Sequence, residues 1–281
     1  MSEAFEIKAP AKTNLWLRIL GKREDGFHEI ETRMVALTLA DTLRLEWRKD
    51  EDVVLRCSDP ELPGGEENLV VKAVRALERR VGKTLAVSID LKKRIPSGAG
   101  LGGGSSDAAA VLKALNKMGQ LGLSESELAE VGAEFGSDIP FFLYDQPCDC
   151  RGRGEVVMPV ADELPSGRFL LMKPAFGISA AWAYQHYAES GEYEGFTYAA
   201  QPTRFGDVVN DLERPAFEKF PILGDMKNWL LERKGVEAAM MSGSGSTMLA
   251  FLSENSDPDK IIRKAKKHFG KSTWMEACET G

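Results

Sequence analysis

Cysteine and histidine are scarce in this chain: four cysteines and three histidines in 281 residues. Cys57, Cys148, Cys150 and Cys278 are too few for a disulfide framework in a chain this long with no visible export signal. Cys148-x-Cys150 is half of a metal-ligand pattern, but no second cysteine pair completes it, and His28, His186 and His268 stand far apart. No structural zinc site is expected, and the cysteines read as reduced thiols. Positive charge is not in excess either. Lys plus Arg number 36 against 43 Asp plus Glu, a net charge of −7, the reverse of what a protein that coats nucleic acid carries. The longest apolar runs, such as residues 34–37 and 141–143, fall far short of the roughly 20 residues that span a bilayer. The opening Met1-Ser2-Glu3-Ala4-Phe5-Glu6 is acidic and lacks the apolar stretch of a secretory signal. The expectation is a soluble, cytoplasmic protein with no nucleic-acid or membrane partner. Internal repeats and low-complexity tracts are also missing.

What is present is an ordinary globular composition, 43% hydrophobic and 28% charged. At roughly 150 residues per domain the length suggests about two domains, with ample chain for a core. The first half opens with strand-like alternation: Phe5, Ile7 and Ala9 share one face and, past Pro10, Leu15, Leu17 and Ile19 another. Further strands are expected near 34–39, 43–47, 53–57 and 85–91. A helix is expected from Asn68 to Gly82, one from Ser105 or Ser106 to about Met118, and one from the capping box Ser124-x-x-Glu127 to Gly136. A fourth should start at Asp138 with Pro140 in its first turn. Past Val160 the pattern becomes a strand at 169–172, helices at 179–189 and 222–233, strands at 236–241 and 247–252, a helix at 258–268 and a strand at 272–277. This reads as two α+β units, 1–158 and 159–281, the second built on an antiparallel sheet.

The most informative stretch is Pro96-Ser97-Gly98-Ala99-Gly100-Leu101-Gly102-Gly103-Gly104-Ser105-Ser106. Five glycines in eleven residues run straight into an alanine-rich helix. Glycine lets backbone approach a ligand without a Cβ in the way, and the first-turn N–H groups of the helix, at its positive dipole end, suit a phosphate. Ser105 and Ser106 add hydroxyls for a phosphate oxygen or Mg²⁺, Ser106 being favoured although sequence does not separate the two. A flexible loop capped by serine would need one glycine rather than five. G-x-G-x-x-G is present as Gly98, Gly100 and Gly103, but the acid that a dinucleotide fold places about 20 residues on is missing. Neither G-x-x-x-x-G-K-[ST] nor the protein-kinase motifs H-R-D and D-F-G occur.

The loop resembles the phosphate loop of the GHMP kinases. Pro10-Ala11-Lys12-Thr13-Asn14-Leu15 resembles their first motif, and Met241-Ser242-Gly243-Ser244-Gly245-Ser246-Thr247 their third, a glycine turn between two strands. Four more segments narrow the match: Gly21-Lys22-Arg23-Glu24-Asp25-Gly26-Phe27-His28-Glu29, Gly136-Ser137-Asp138-Ile139-Pro140-Phe141-Phe142, Arg151-Gly152-Arg153-Gly154-Glu155 and Asn210-Asp211-Leu212-Glu213. They are similar to the branch that phosphorylates the 2-hydroxyl of a cytidine-diphosphate-linked methylerythritol in the non-mevalonate route to isoprenoid precursors. The motifs run in order from residue 9 to 247, nearly the whole chain. Two departures are Phe27, where that branch has Tyr, and Ser137, where it has Ala; neither removes a catalytic group.

The resemblance implies a two-domain fold, a ribosomal protein S5-like first domain followed by a ferredoxin-like one, and an ATP-dependent, Mg²⁺-assisted kinase. Asp138 would take the acceptor hydroxyl's proton, the alternative being a plain N-cap. Lys12 would sit between the γ-phosphate and the acceptor, the alternative being a solvated lysine at a strand start. Residues 96–106 would wrap the phosphates, and Asn68 would reach adenine or simply cap its helix. Asn14, Phe27, His28 and Tyr184 would hold the small-molecule cytidine-diphosphate substrate. Phe27 forms one wall, His28 meets the base edge through ring or backbone, and Tyr184 is preferred over Trp182 as the opposite wall; the alternative for both rings is ordinary core packing. Two rival readings are a GHMP kinase of homoserine or mevalonate type and a catalytically silent nucleotide-binding relative.

Overall fold

The computed structural model describes residues 4–50, 52–161 and 164–281. Residues 1–3, on which the reading of the N-terminus partly rests, and residues 162–163, beside the expected domain boundary, lie outside these. The first half runs β1 (Phe5–Lys22), β2 (His28–Trp47), β3 (Val54–Cys57), α1 (Leu69–Val81), β4 (Val87–Lys92), α2 (Gly103–Met118), α3 (Glu125–Ala133), a 3₁₀ turn (Pro140–Leu143), β5 (Cys148–Arg151) and β6 (Val156–Pro159). The second half runs β7 (Arg168–Lys173), α4 (Ala180–Tyr187), β8 (Gln201–Thr203), β9 (Gly206–Asn210), α5 (Glu213–Lys219), α6 (Pro221–Leu231), β10 (Val236–Met241), β11 (Met248–Leu252), α7 (Pro258–Phe269) and β12 (Trp274–Glu279).

Among the described residues there are two sheets. One has the order β3-β4-β2-β1-β9-β8, with the β5–β6 hairpin attached to β2; the other has the order β10-β11-β7-β12. The alternating apolar residues explain the layering. Ala9, Leu43, Leu45, Val87 and Ile89 pack under α1, α2 and α3. Ala11, Leu15, Val35 and Leu37 face Phe169, Leu171, Met240 and Leu249 of the second sheet. A third core joins that second sheet to α4, α5, α6 and α7 through Phe217, Leu223, Met226 and Ile261.

Several expected boundaries move. The separate strands expected around Pro10, and those at 34–39 and 43–47, are two long strands, β1 and β2, paired antiparallel with register shifts at Pro10/Lys12, Asn14/Trp16 and Ile19/Gly21. A proline is tolerated inside a strand at such a bulge. α2 begins at Gly103 rather than at the serines, because the glycines themselves form its first turn. The helix expected from Asp138 is absent: Asp138 lies in the turn before the short 3₁₀ segment Pro140–Leu143. Strands β5, β6, β8 and β9 and helix α5 were not expected. β9 belongs to the second half of the chain yet pairs parallel with β1, Trp16 beside Val209.

Candidate active site

The first two of the three register shifts along β1 lie on either side of Lys12 and Asn14, so both side chains project from one stretch of strand. Lys12 is 4% and Asn14 1% exposed. The Lys12 ammonium donates to Asn14 Oδ1 at 3.0 Å, and Asn14 Nδ2 donates to Thr32 Oγ1 at 2.7 Å. The amide therefore holds the ammonium in one orientation. Asp138 Oδ2 lies 3.5 Å from Lys12 Nζ, with its side chain 37% exposed. The pair thus has one buried member and one that opens to a cavity of about 590 Å³.

Gly100, Gly102 and Ser105 line this cavity, while Ala99 and Leu101 are buried in the inter-sheet core. This alternation anchors the loop by its apolar residues and turns its glycines toward the ligand space. Gly102 has φ +69°, and a Cβ there would stand 2.9 Å from Lys12 Cγ and from the Phe142 ring. No side chain caps the first turn of α2, whereas Asn68, Ser124, Ser179 and Asp257 cap α1, α3, α4 and α7. Its N–H groups are open to an anion.

The turn between β10 and β11 closes the loop from the second sheet. Thr247 N–H donates to Ala99 O at 3.3 Å, and the Ser242 hydroxyl donates to Gly100 O at 3.2 Å. That turn is itself braced: Asn210 Nδ2 donates to Met241 O and Gly243 O, both at 2.7 Å, and Glu213 Oε1 accepts the Met241 N–H at 2.8 Å. Asp211 accepts the Ile19 N–H at 2.8 Å. The 210–213 motif is thus a brace that ties the glycine turn to β1.

The far side of the cavity is aromatic. Phe27, 50% exposed, and buried His28 stand at the turn into β2, and Tyr184 on α4 stacks against His28 at 5.8 Å between ring centres. The Arg153 guanidinium lies 4.7 Å from the Phe27 ring centre. Burial, reinforced by Lys22, lowers the His28 pKa below its ordinary value, so the imidazole is neutral at pH 7 and keeps one donor and one acceptor nitrogen. Burial raises the Tyr184 phenol pKa, so its hydroxyl stays protonated.

The cavity brings together Lys12, Asn14, Phe27, His28, Gly100, Gly102, Ser105, Asp138 and Tyr184. Other residues weighed from the sequence, among them the rejected alternative Trp182, lie elsewhere. Trp182 stacks on His186 and under Lys219, in a separate surface groove. Ser106, favoured over Ser105 from the sequence, is 1% exposed, has no hydrogen-bond partner for its hydroxyl, and borders a different hollow of about 1040 Å³. That larger hollow contains neither Lys12 nor Asp138, so the smaller cavity is the one with reactive groups. The two serines point to different cavities because a one-residue step turns a helical side chain by about 100°. Asn68 caps α1: its Oδ1 accepts the Val70 N–H at 2.9 Å and its Nδ2 donates to Pro63 O at 2.7 Å. At Gly103 a Cβ would meet Ile95 Cγ2 at 2.9 Å, so the missing side chain also lets the start of α2 pack on Ile95. All four cysteines are free, and burial pushes the Cys148 and Cys278 thiols up to about 12.

A glycine loop entering an uncapped helix, a lysine–aspartate pair and a second glycine turn define a class. Family models for the GHMP kinases N-terminal domain match residues 68–146 and for the C-terminal domain residues 199–271, and the chain is a GHMP kinase. A 4-diphosphocytidyl-2-C-methyl-D-erythritol kinase of Syntrophotalea carbinolica is 38% identical over 270 residues, 95% of each chain. A crystal structure of a kinase of that name is 33% identical, covering 99% of this chain and all of the other at a TM-score of 0.78. Within the superfamily, the chain belongs to the 4-diphosphocytidyl-2-C-methyl-D-erythritol kinase family. A homoserine kinase from Cytophaga hutchinsonii, 17% identical with a TM-score of 0.70 and covering 100% of this chain and 95% of its own, shares the fold alone.

Proposed function

We propose that this protein transfers the γ-phosphoryl group of ATP to the 2-hydroxyl of 4-diphosphocytidyl-2-C-methyl-D-erythritol. The observation that carries the reading is the Lys12–Asp138 pair at 3.5 Å, standing between a phosphate-type loop and an aromatic pocket in one cavity. Asp138, the more exposed partner, takes the proton of the acceptor hydroxyl as the new P–O bond forms. Lys12, held by Asn14, stabilises charge on the transferring group and on the attacking oxygen. Phosphoryl transfer is mostly positioning and electrostatics, and those are what a buried, amide-oriented lysine supplies. The amides of residues 96–106 and of the first turn of α2 receive the phosphates. Phe27 and Tyr184 enclose the cytosine, and neutral His28 meets its hydrogen-bonding edge.

Mg²⁺ belongs to the same proposal. Among the described residues no group of three or more His, Cys, Asp or Glu could cage a metal ion. That fits an ion carried by phosphate oxygens and water, the way Mg²⁺ prefers. Ser105 would be the side-chain oxygen donor at hand, and Mg²⁺, when bound, would neutralise phosphate charge. Among the described residues no helix is long and apolar enough to cross a membrane, in keeping with a substrate taken from solution.

An ATP-consumption assay with four acceptors tests the reading: the cytidylylated methylerythritol, homoserine, mevalonate and galactose. Turnover with the first alone is expected. Turnover only with homoserine or mevalonate would replace it, and ATP binding with no turnover at all would favour the silent relative.

A further inference from the structure

Both ends of the glycine loop are tied to one buried cation. Lys93 stands three residues before Pro96, and Asp107 directly follows Ser106. Lys93 Nζ lies 2.7 Å from Asp107 Oδ2 and 2.5 Å from Asp41 Oδ2. The three side chains are 8%, 3% and 0% exposed. Asp41, on β2, accepts the backbone N–H of Arg94 at 2.5 Å and of Ile95 at 2.9 Å through Oδ1. One carboxylate thus grips the chain entering the loop, the other belongs to the helix leaving it, and the ammonium joins them. That ammonium sits 3.4 Å from where a Cβ of Gly103 would be, against the first turn of α2.

Three buried charges are an expensive way to stabilise a fold, because apolar residues of equal volume often do as well. The cluster is not fully satisfied either, since Asp107 Oδ1 has no hydrogen-bond partner. What a lysine bridging two carboxylates does supply is a fixed distance between two backbone segments. We propose that Asp41, Lys93 and Asp107 are positioning residues for the nucleotide. They hold the entry and exit of the glycine loop at the separation that lets its amides meet phosphate, and so set the affinity for ATP and not for the acceptor. The inference rests on the assignment of residues 96–106 to ATP. None of the three lines the cavity of Lys12 and Asp138, so each acts through the loop.

Asp107→Ala releases α2 from Lys93 while leaving the Lys93–Asp41 pair intact. If the loop then keeps its binding geometry a tenth of the time, the apparent affinity for ATP falls about tenfold. The test measures KM for ATP and for 4-diphosphocytidyl-2-C-methyl-D-erythritol in Asp107→Ala and Asp107→Asn. It also follows hydrogen exchange of residues 96–106 in the unmodified enzyme with and without Mg-ATP. Expected are an ATP KM raised about tenfold in the Ala variant and an acceptor KM and kcat within about twofold. Asn should restore the ATP KM to within about threefold, because its amide oxygen still accepts from Lys93. Asp107→Ser, too short to reach Lys93, takes the place of Ala should the latter not fold. An unchanged ATP KM, a parallel rise in both KM values, or an Asn variant no better than Ala overturns the clamp. If Mg-ATP leaves the exchange of residues 96–106 unchanged in the unmodified enzyme, the ATP assignment itself falls, and the clamp with it.

Discussion

Asp138→Asn separates proton transfer from everything else the site does. The substitution preserves shape and leaves a carbonyl oxygen beside Lys12, whose ammonium remains fixed by Asn14 at 3.0 Å. The positive charge available to the phosphates is therefore unchanged, and ATP should bind as before. The change removes only a carboxylate able to take the acceptor's proton. A positioned general base contributes about 10²–10⁴ in rate, which is about 3–5 kcal/mol of barrier. Stability should hardly move, because the Asp138 side chain is 37% exposed at 3.5 Å from its partner and such pairs are worth about 1 kcal/mol or less. The assay is kcat from ADP release at saturating ATP and acceptor, with ATP affinity by calorimetry and Tm as control. A kcat within a few-fold of the unmodified enzyme would remove Asp138 as the base. A loss of ATP affinity in step with kcat would make it a binding group instead.

Gly100→Ala should raise the ATP KM by about tenfold or more, since Gly100 has φ +74° and a Cβ there would stand 2.9 Å from Gly245 N, forcing the loop off the β10–β11 turn; an unchanged KM would mean the two glycine turns can separate without consequence. Phe27→Ala should raise the acceptor KM roughly 5- to 150-fold, the equivalent of ~1–3 kcal/mol of base stacking, with the ATP KM and Tm unchanged because the ring is 50% exposed; failure of cytidine nucleotides to compete with the acceptor at millimolar levels would count against a cytosine pocket. Burial pushes the Asp107 carboxyl up to about 7 despite Lys93, with Asp41 adding to the rise. Between its unfolded pKa and about 7 the folded state therefore binds more protons, and this group's contribution to stability declines as pH rises through that window. Asp107→Asn should consequently gain more Tm over the unmodified protein at pH 8 than at pH 5.5, and a pH-independent difference would contradict the assignment.

What was legible in the sequence is what is encoded locally. The glycine loop, the Ser124 capping box, the Asn68 cap and the short apolar runs of β7, β10 and β11 are decided by residues within a turn of one another, and the structure has them where the pattern put them. Of the two aromatics weighed for the second wall, Tyr184 lines the cavity of Lys12 and Asp138 and Trp182 does not. The rest depends on partners distant in sequence. β8 and β9, of three and five residues, carry too little periodicity to announce themselves; β9 is a strand because β1 offers it an edge, and β8 because β9 does. For Asp138 the residues alone offered an N-cap as readily as a base, because Asp caps well with a Pro in the first turn, and only the resemblance favoured the base. The chain makes a 3₁₀ turn instead of a helix, which leaves the carboxylate facing Lys12 from 126 positions away. Asp41, Lys93 and Asp107 were missed for the same reason, as was Lys227, which pairs with Glu213 at 2.6 Å and is nearly fully buried. A charged residue is nearly always exposed, and nothing within a few positions says otherwise. One signal was available: Asp41 interrupts an otherwise apolar run of alternate positions from Leu37 and Leu39 to Leu43 and Leu45. A charge on the buried face of a strand requires a buried partner. The lysine that answers it stands just before the glycine loop, where a fixed backbone matters most.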